Sequence, residues 1–125
     1  MKKPKIVLVG AGSHSFGLMM LKDMMHTPEL HGSQVVLVDI VAEKLERMTR
    51  LAQRLNEMWK ADLKITSTTD RREALPGADI VVTSVERKHY ELWQLDISIP
   101  EKPGCRRLYG ENGGPGGLFH PLRQI

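Results

Sequence analysis

Short apolar runs alternate with helix-length amphipathic stretches along the chain, the signature of a parallel sheet joined by crossover helices. Lys5 to Val9 is a continuous apolar run that ends in glycines, and Ser15 to His26 follows as a helix rich in Met and Leu. Val35 to Asp39 is the second strand. From Val41 to about Lys60, Leu45, Met48, Leu51, Ala52, Leu55, Met58 and Trp59 recur at helical spacing while Glu, Arg and Gln fill the other face. That periodicity predicts a core-facing helix whose methionines are packing. Lys64 to Thr69 alternates weakly and is rich in Thr and Ile, which fits a third strand near a sheet edge. A short helix closed by Pro76 and Gly77 leads to a fourth strand, Asp79 to Val85, whose composition predicts burial. Lys88 to about Ile99 predicts a further helix that ends before Pro100. Right-handed crossovers then give the strand order 3-2-1-4, the N-terminal half of a Rossmann-like, doubly wound α/β fold.

Composition narrows the class. A chain of 125 residues with 41% hydrophobic content holds one globular domain, residues 1–125. The net charge of +3 is spread over small groups at Lys2, Lys3 and Lys5, at Arg87 and Lys88, and at Lys102, Arg106 and Arg107. With only 5% aromatic residues there is no basic stripe with stacking platforms, so no nucleic-acid partner is expected. Cys105 is the single cysteine, which rules out an internal disulfide framework or a CxxC site and points to a reducing compartment. The basic start carries about five apolar residues before its glycines, too few for a secretory or membrane-spanning segment. A cytoplasmic protein with no membrane partner is expected.

The run "VGAGSHSFG" follows the first strand and opens the first helix, where backbone N–H groups and a helix N-terminus meet a pyrophosphate. Gly10 supplies the tight turn and Gly12 the close approach of backbone to phosphate, with Ala11, Ser13 and His14 completing the loop. The third glycine of the usual pattern is replaced by Ser15, with Gly17 two residues on, which predicts a helix set slightly further from the strand. Asp39 ends the second strand, where a carboxylate accepts hydrogen bonds from the adenine ribose and repels a 2′-phosphate. No arginine stands beside it, so NAD is favoured over NADP. The plain alternatives are a tight strand-to-helix turn for the glycines and a helix N-cap for Asp39.

Between Pro100 and Gly117 no periodic pattern appears, and "GENGGPGG" there places a carboxylate and an amide before glycines that open a helix. Taken alone, Glu111 is a solvated loop carboxylate. "KIVLVGAGSHSFG", Asp39, the "Asp-x-x-Ile-Pro" segment at Asp96 to Pro100 and "GENGGPGGLFHPLRQI" together resemble the N-terminal part of glycoside hydrolase family 4, NAD- and divalent-metal-dependent glycosidases. The resemblance covers the whole chain, and the GPGG segment is its specific part.

What the resemblance implies is a redox-assisted elimination and addition across an O-glycosidic bond. NAD takes hydride from carbon 3 of the sugar, a base removes the acidified proton at carbon 2, and the aglycone leaves; water then adds and the hydride returns. A divalent metal, manganese, stabilises the enediolate. The NAD site is expected at Gly10, Ala11, Gly12, Ser13, His14, Asp39, Ile40, Ser84 and Val85, with Glu111 the candidate acid–base group and Asn112 and Arg87 the candidate substrate contacts. The family's metal ligands and base lie after the GPGG helix. Cys105, Tyr90 and Tyr109 do not match them, so no metal site is expected within residues 1–125. The chain is therefore expected to be the first part of a longer, homo-oligomeric protein, truncated and inactive alone. Members acting on 6-phosphorylated sugars carry an arginine where this chain has Glu86, so an unphosphorylated sugar or a uronic acid is the expected substrate, with Arg87 or Lys88 meeting a carboxylate. A solvated helix start is the alternative for both basic residues. Two other readings use the same Gly10, Gly12 and Asp39: a malate- or lactate-type dehydrogenase and a stand-alone NAD-binding regulatory module.

Overall fold

The computed structural model of the chain describes residues 2–13, 15–86, 88–105 and 114–124. Four strands, β1 (Lys5–Val9), β2 (Gln34–Val38), β3 (Lys64–Thr68) and β4 (Ile80–Thr83), lie parallel in the order β3-β2-β1-β4, as the crossover argument requires. In register, Val7 stands between Val36 of β2 and Val81 of β4. The chain divides into two compact units, the first ending at Ser84 and the second beginning at Val85.

In the first unit, the two-residue period of the strands sorts the core into two layers. Ile6, Leu8, Val35 and Leu37 face α1 (Phe16–Met25) and α2 (Ala42–Trp59), and pack with Leu21, Met24, Met25, Leu45, Met48 and Ala52. Val7, Val36 and Val38 point the other way and meet Ala74 of α3 (Arg71–Ala74). The stripe of α2 is narrower than its apolar positions suggest. Leu45, Met48 and Ala52 are buried and Leu55 and Trp59 pack against them, whereas Leu51 and Met58 are 39% and 62% exposed. The inward residues are spaced alternately by three and four, so Leu51 and Met58 fall to the side of that seam.

The fourth strand departs from expectation. It is shorter than Asp79 to Val85, and Ile80 and Val81 are each 46% exposed. Its composition is that of a buried strand, but its one partner among the described residues is β1, and solvent reaches the side away from that partner. The weakly patterned β3 is the opposite edge, as expected.

The turn from α2 to β3 is held by one side chain. Lys60 caps α2 in the left-handed conformation at φ 51°, and the Asn56 amide then grips Leu63 at both backbone groups. Asn56 Nδ2 donates to the Leu63 carbonyl at 3.0 Å, and the Leu63 N–H donates to Asn56 Oδ1 at 2.9 Å.

In the second unit, α4 (His89–Glu101) and α5 (Gly114–Gln124) pack together. Pro100 does not stop α4 but lies in its last turn, where the missing N–H falls opposite the Asp96 carbonyl four residues back. Gly116 packs onto that same carbonyl; a Cβ there would stand 2.3 Å from the Asp96 oxygen. The proline is accommodated because a partner helix comes close at the position where the helical bond is lost. No described helix is long and apolar enough to cross a membrane.

Asn56→Ala leaves both Leu63 backbone groups without their amide partner. A stability loss of about 1–3 kcal/mol is expected, read as a lower urea midpoint at unchanged m-value.

Candidate functional site

The loop after β1 is built on backbone hydrogen bonds. Gly10 takes φ 88°, a left-handed turn closed to most side chains, and the N–H groups of Gly10 and Ala11 both donate to the Val38 carbonyl, at 2.8 and 3.0 Å. The loop is thereby pinned to the C-terminal end of β2. The Ser13 N–H donates to the Gly10 carbonyl at 3.2 Å, and α1 starts at once, with Ser15 as its N-cap and no acidic residue in its first turn. The positive end of the α1 dipole is not neutralised by a carboxylate of its own, which favours an anion there.

Asp39 joins this loop to the next one. Its Oδ2 accepts the Gly12 N–H at 2.8 Å, and its Oδ1 accepts the Val41 N–H at 2.9 Å. A Cβ on Gly12 would stand 2.7 Å from Asp39 Oδ2 and 3.0 Å from the Lys44 Cβ, so a side chain there would push the carboxylate off the Gly12 N–H. The N-cap alternative takes a modified form. Val41, not Asp39, is the N-cap of α2 and has no side-chain cap bond; Asp39 instead closes an Asx-type turn leading into the helix. This local duty leaves each carboxylate oxygen a second lone pair for ribose hydroxyls.

Gly17 brings α1 close to the loop. It is buried, and a Cβ on it would stand 2.6 Å from the Ala11 carbonyl oxygen. Gly17 therefore does the packing work of the third glycine, from a position further into the helix. The signal was present in the sequence, displaced from its usual spacing.

A small apolar pocket opens at the C-terminal ends of β1 and β4, lined by Leu8 to Ala11, Phe16, Gly17, Met20, Val82 and Ser84. This is the side of the sheet on which doubly wound folds bind ligands. Of the expected site residues, Gly10, Ala11 and Ser84 line it, and the Ser84 N–H donates to the Val9 carbonyl at 2.8 Å. Gly12, Ser13 and Asp39 form the adjoining loop edge, beside which Ile40 is 82% exposed. Val85 begins the second unit and is 56% exposed. His14, Arg87, Glu111 and Asn112 lie outside the described residues.

The second unit contains a polar cluster that sequence reasoning missed. Asp96 is 4% exposed, and its Oδ2 accepts a hydrogen bond from His120 Nδ1 at 2.8 Å. His120 Nε2 lies 3.4 Å from Glu86 Oε1. The i,i+3 or i,i+4 spacings that flag helix pairs do not link these residues, which come together only when α4 and α5 pack. Among the described residues no three His, Cys, Asp or Glu side chains gather to hold a metal ion.

A family model described as family 4 glycosyl hydrolase matches residues 5–125. The chain is 47% identical to an alpha-glucosidase of Erwinia rhapontici over 124 residues, covering 97% of this chain and 27% of that protein. It is 32% identical to an alpha-galactosidase of Rhizobium meliloti (strain 1021) over 121 residues, 97% of this chain and 25% of that one. Among solved structures, a 6-phospho-alpha-glucosidase from gut microorganisms, in complex with NAD and Mn²⁺, superposes with a TM-score of 0.77 at 26% identity, over 98% of this chain and 27% of that chain. The chain thus spans about a quarter of the length of these relatives.

Gly17→Ala is expected to destabilise the protein by about 1–3 kcal/mol through overpacking against the Ala11 carbonyl, although alanine is the better helix former by about 1 kcal/mol. Urea denaturation checks the sign. A variant as stable as the parent would show that α1 has room to move away from the loop.

Proposed function

The chain belongs to glycosyl hydrolase family 4, and on that premise we propose that it is the NAD-binding N-terminal region of a glycosidase that cleaves O-glycosidic bonds by redox-assisted elimination and addition. The observation that carries the reading is the bond from the Gly12 N–H to Asp39, in a space that a single Cβ would fill. It holds a carboxylate at the loop edge, where an adenine ribose is recognised in this fold class.

The residues present fit the adenosine half of NAD. The loop from Gly10 to His14 and the unneutralised start of α1 receive the pyrophosphate. Asp39 accepts from the ribose hydroxyls, exposed Ile40 flanks the adenine, and Ser84 and Val85 border the nucleotide further along. When bound, NAD supplies the hydride acceptor that makes the sugar's carbon 2 proton acidic. Glu111 is assigned the acid–base role and Asn112 and Arg87 the sugar contacts. The described residues do not fit a divalent metal, so that ion is assigned to groups outside them.

Glu86 supports an unphosphorylated sugar as substrate, because a carboxylate in a sugar site repels a phosphate dianion; a uronic acid is accommodated only through Arg87 or Lys88, which would meet its carboxylate. The names of the alpha-glucosidase and alpha-galactosidase relatives agree with that preference, while those of a 6-phospho-beta-glucosidase of Escherichia coli (strain K12), 35% identical, and of the solved 6-phospho-alpha-glucosidase do not, so the shared fold does not decide the substituent at carbon 6. The lone Cys105 is in keeping with a cytoplasmic setting.

Calorimetry tests the reading on the chain itself. ADP-ribose and NAD are expected to bind with similar affinity, and Asp39→Ala to weaken both by about 1.5–3 kcal/mol, with circular dichroism confirming the fold. Absence of ADP-ribose binding would contradict the reading. For the catalytic assignment, Glu111→Gln in the glycosidase is expected to lower turnover about 10²–10⁴-fold at unchanged NAD affinity; unchanged turnover removes Glu111 from the site.

A further inference from the structure

Lys44 stands at the adenosine end of the loop. Its Cβ lies where a Cβ on Gly12 would come within 3.0 Å of it, beside the Asp39 carboxylate. From there its flexible stem carries an ammonium some 5 Å further, far enough to pass Asp39 and reach a group on the ribose.

The Lys44 side chain is exposed. Lys44 makes no hydrogen bond or ion pair among the described residues. The nearby Glu43 is engaged by Arg47, and Asp39 accepts two backbone N–H groups but no bond from Lys44. The positions one helical turn away are Ile40, Val41, Arg47 and Met48, none of them acidic. A cation three residues past the Val41 N-cap also opposes the α2 dipole. A lysine that opposes the helix dipole at the rim of a nucleotide loop fits a role outside the stability of the helix.

We propose that Lys44 is a specificity-determining residue for the nucleotide: it attracts a 2′-phosphate on the adenine ribose and so offsets part of the repulsion from Asp39. The site then prefers the unphosphorylated ribose by a smaller margin than Asp39 alone would set. The inference rests on the nucleotide reading of the loop and deepens it. The absence of an arginine beside Asp39 favoured NAD over NADP; the fold brings up a lysine instead.

The test is equilibrium binding of 5′-AMP and of adenosine 2′,5′-bisphosphate to the chain, for the parent protein, Lys44→Ala and Lys44→Arg. Lys44→Ala is expected to leave the 5′-AMP affinity nearly unchanged and to weaken the bisphosphate about two- to fivefold, the size of one exposed ion pair. The effect should shrink as salt is raised, and Lys44→Arg should restore the parent ratio. Equal weakening of both nucleotides would place Lys44 on the 5′-phosphate and overturn the proposal, as would no change in either. Failure of the parent protein to bind 5′-AMP, ADP-ribose or NAD would instead sink the nucleotide reading on which it rests.

Discussion

The carboxylate of Asp39 is the tie on which the loop face at the C-terminal ends of β1 and β2 depends. It takes the Gly12 N–H on one oxygen and the Val41 N–H on the other, so the loop before α1 and the turn before α2 share one charged acceptor. Charge-assisted bonds of this kind are roughly twice as strong as neutral ones, and here they fix two loops that also meet at the Val38 carbonyl. The tie exists only because residue 12 has no Cβ. One absent methyl group thus sets the distance between the loops and the position of the carboxylate.

Beneath this edge the sheet is rigid for ordinary reasons. Val7, Leu21, Val35 and Leu37 are fully or almost fully buried, and each such side chain contributes roughly 1.5–3 kcal/mol on burial. The two-layer core holds the C-terminal ends of β1 and β2 in register, which places Gly10 directly on the Val38 carbonyl. Relatives whose names differ in sugar and in phosphorylation match across this chain, so the shared fold does not by itself set the substrate.

Much of the loop and its acidic partner was legible because it is local. The strand order, the tight turn at Gly10 and the place of Asp39 just past β2 follow from short-range spacing, whereas the contact that Gly12 makes room for does not. What was not legible depends on neighbours distant in sequence. The exposure of Ile80 and Val81 is set by which strand lies beside β4, not by their own composition. Pro100 stays inside α4 because Gly116, brought from α5, packs on the Asp96 carbonyl. The pairing of His120 with Asp96 spans 24 residues, and no periodicity announces it. Gly17 and Lys44 are intermediate cases: Gly17 follows the glycine loop closely in sequence and Lys44 follows Asp39, but the contact of each is visible only once the helix phase is fixed.

The central claim is that the Gly10 to Ser13 loop and Asp39 form the adenosine half of an NAD site. The most direct measurement is a ¹H–¹⁵N spectrum of the chain titrated with ADP-ribose. The account predicts saturable shifts at the amides of Gly10, Gly12, Ser13 and Val41, with the amides of Asn56 and Leu63, at the opposite end of α2, unmoved. Saturable shifts that spare the glycine loop, or that centre on the α2 to β3 turn, would contradict it.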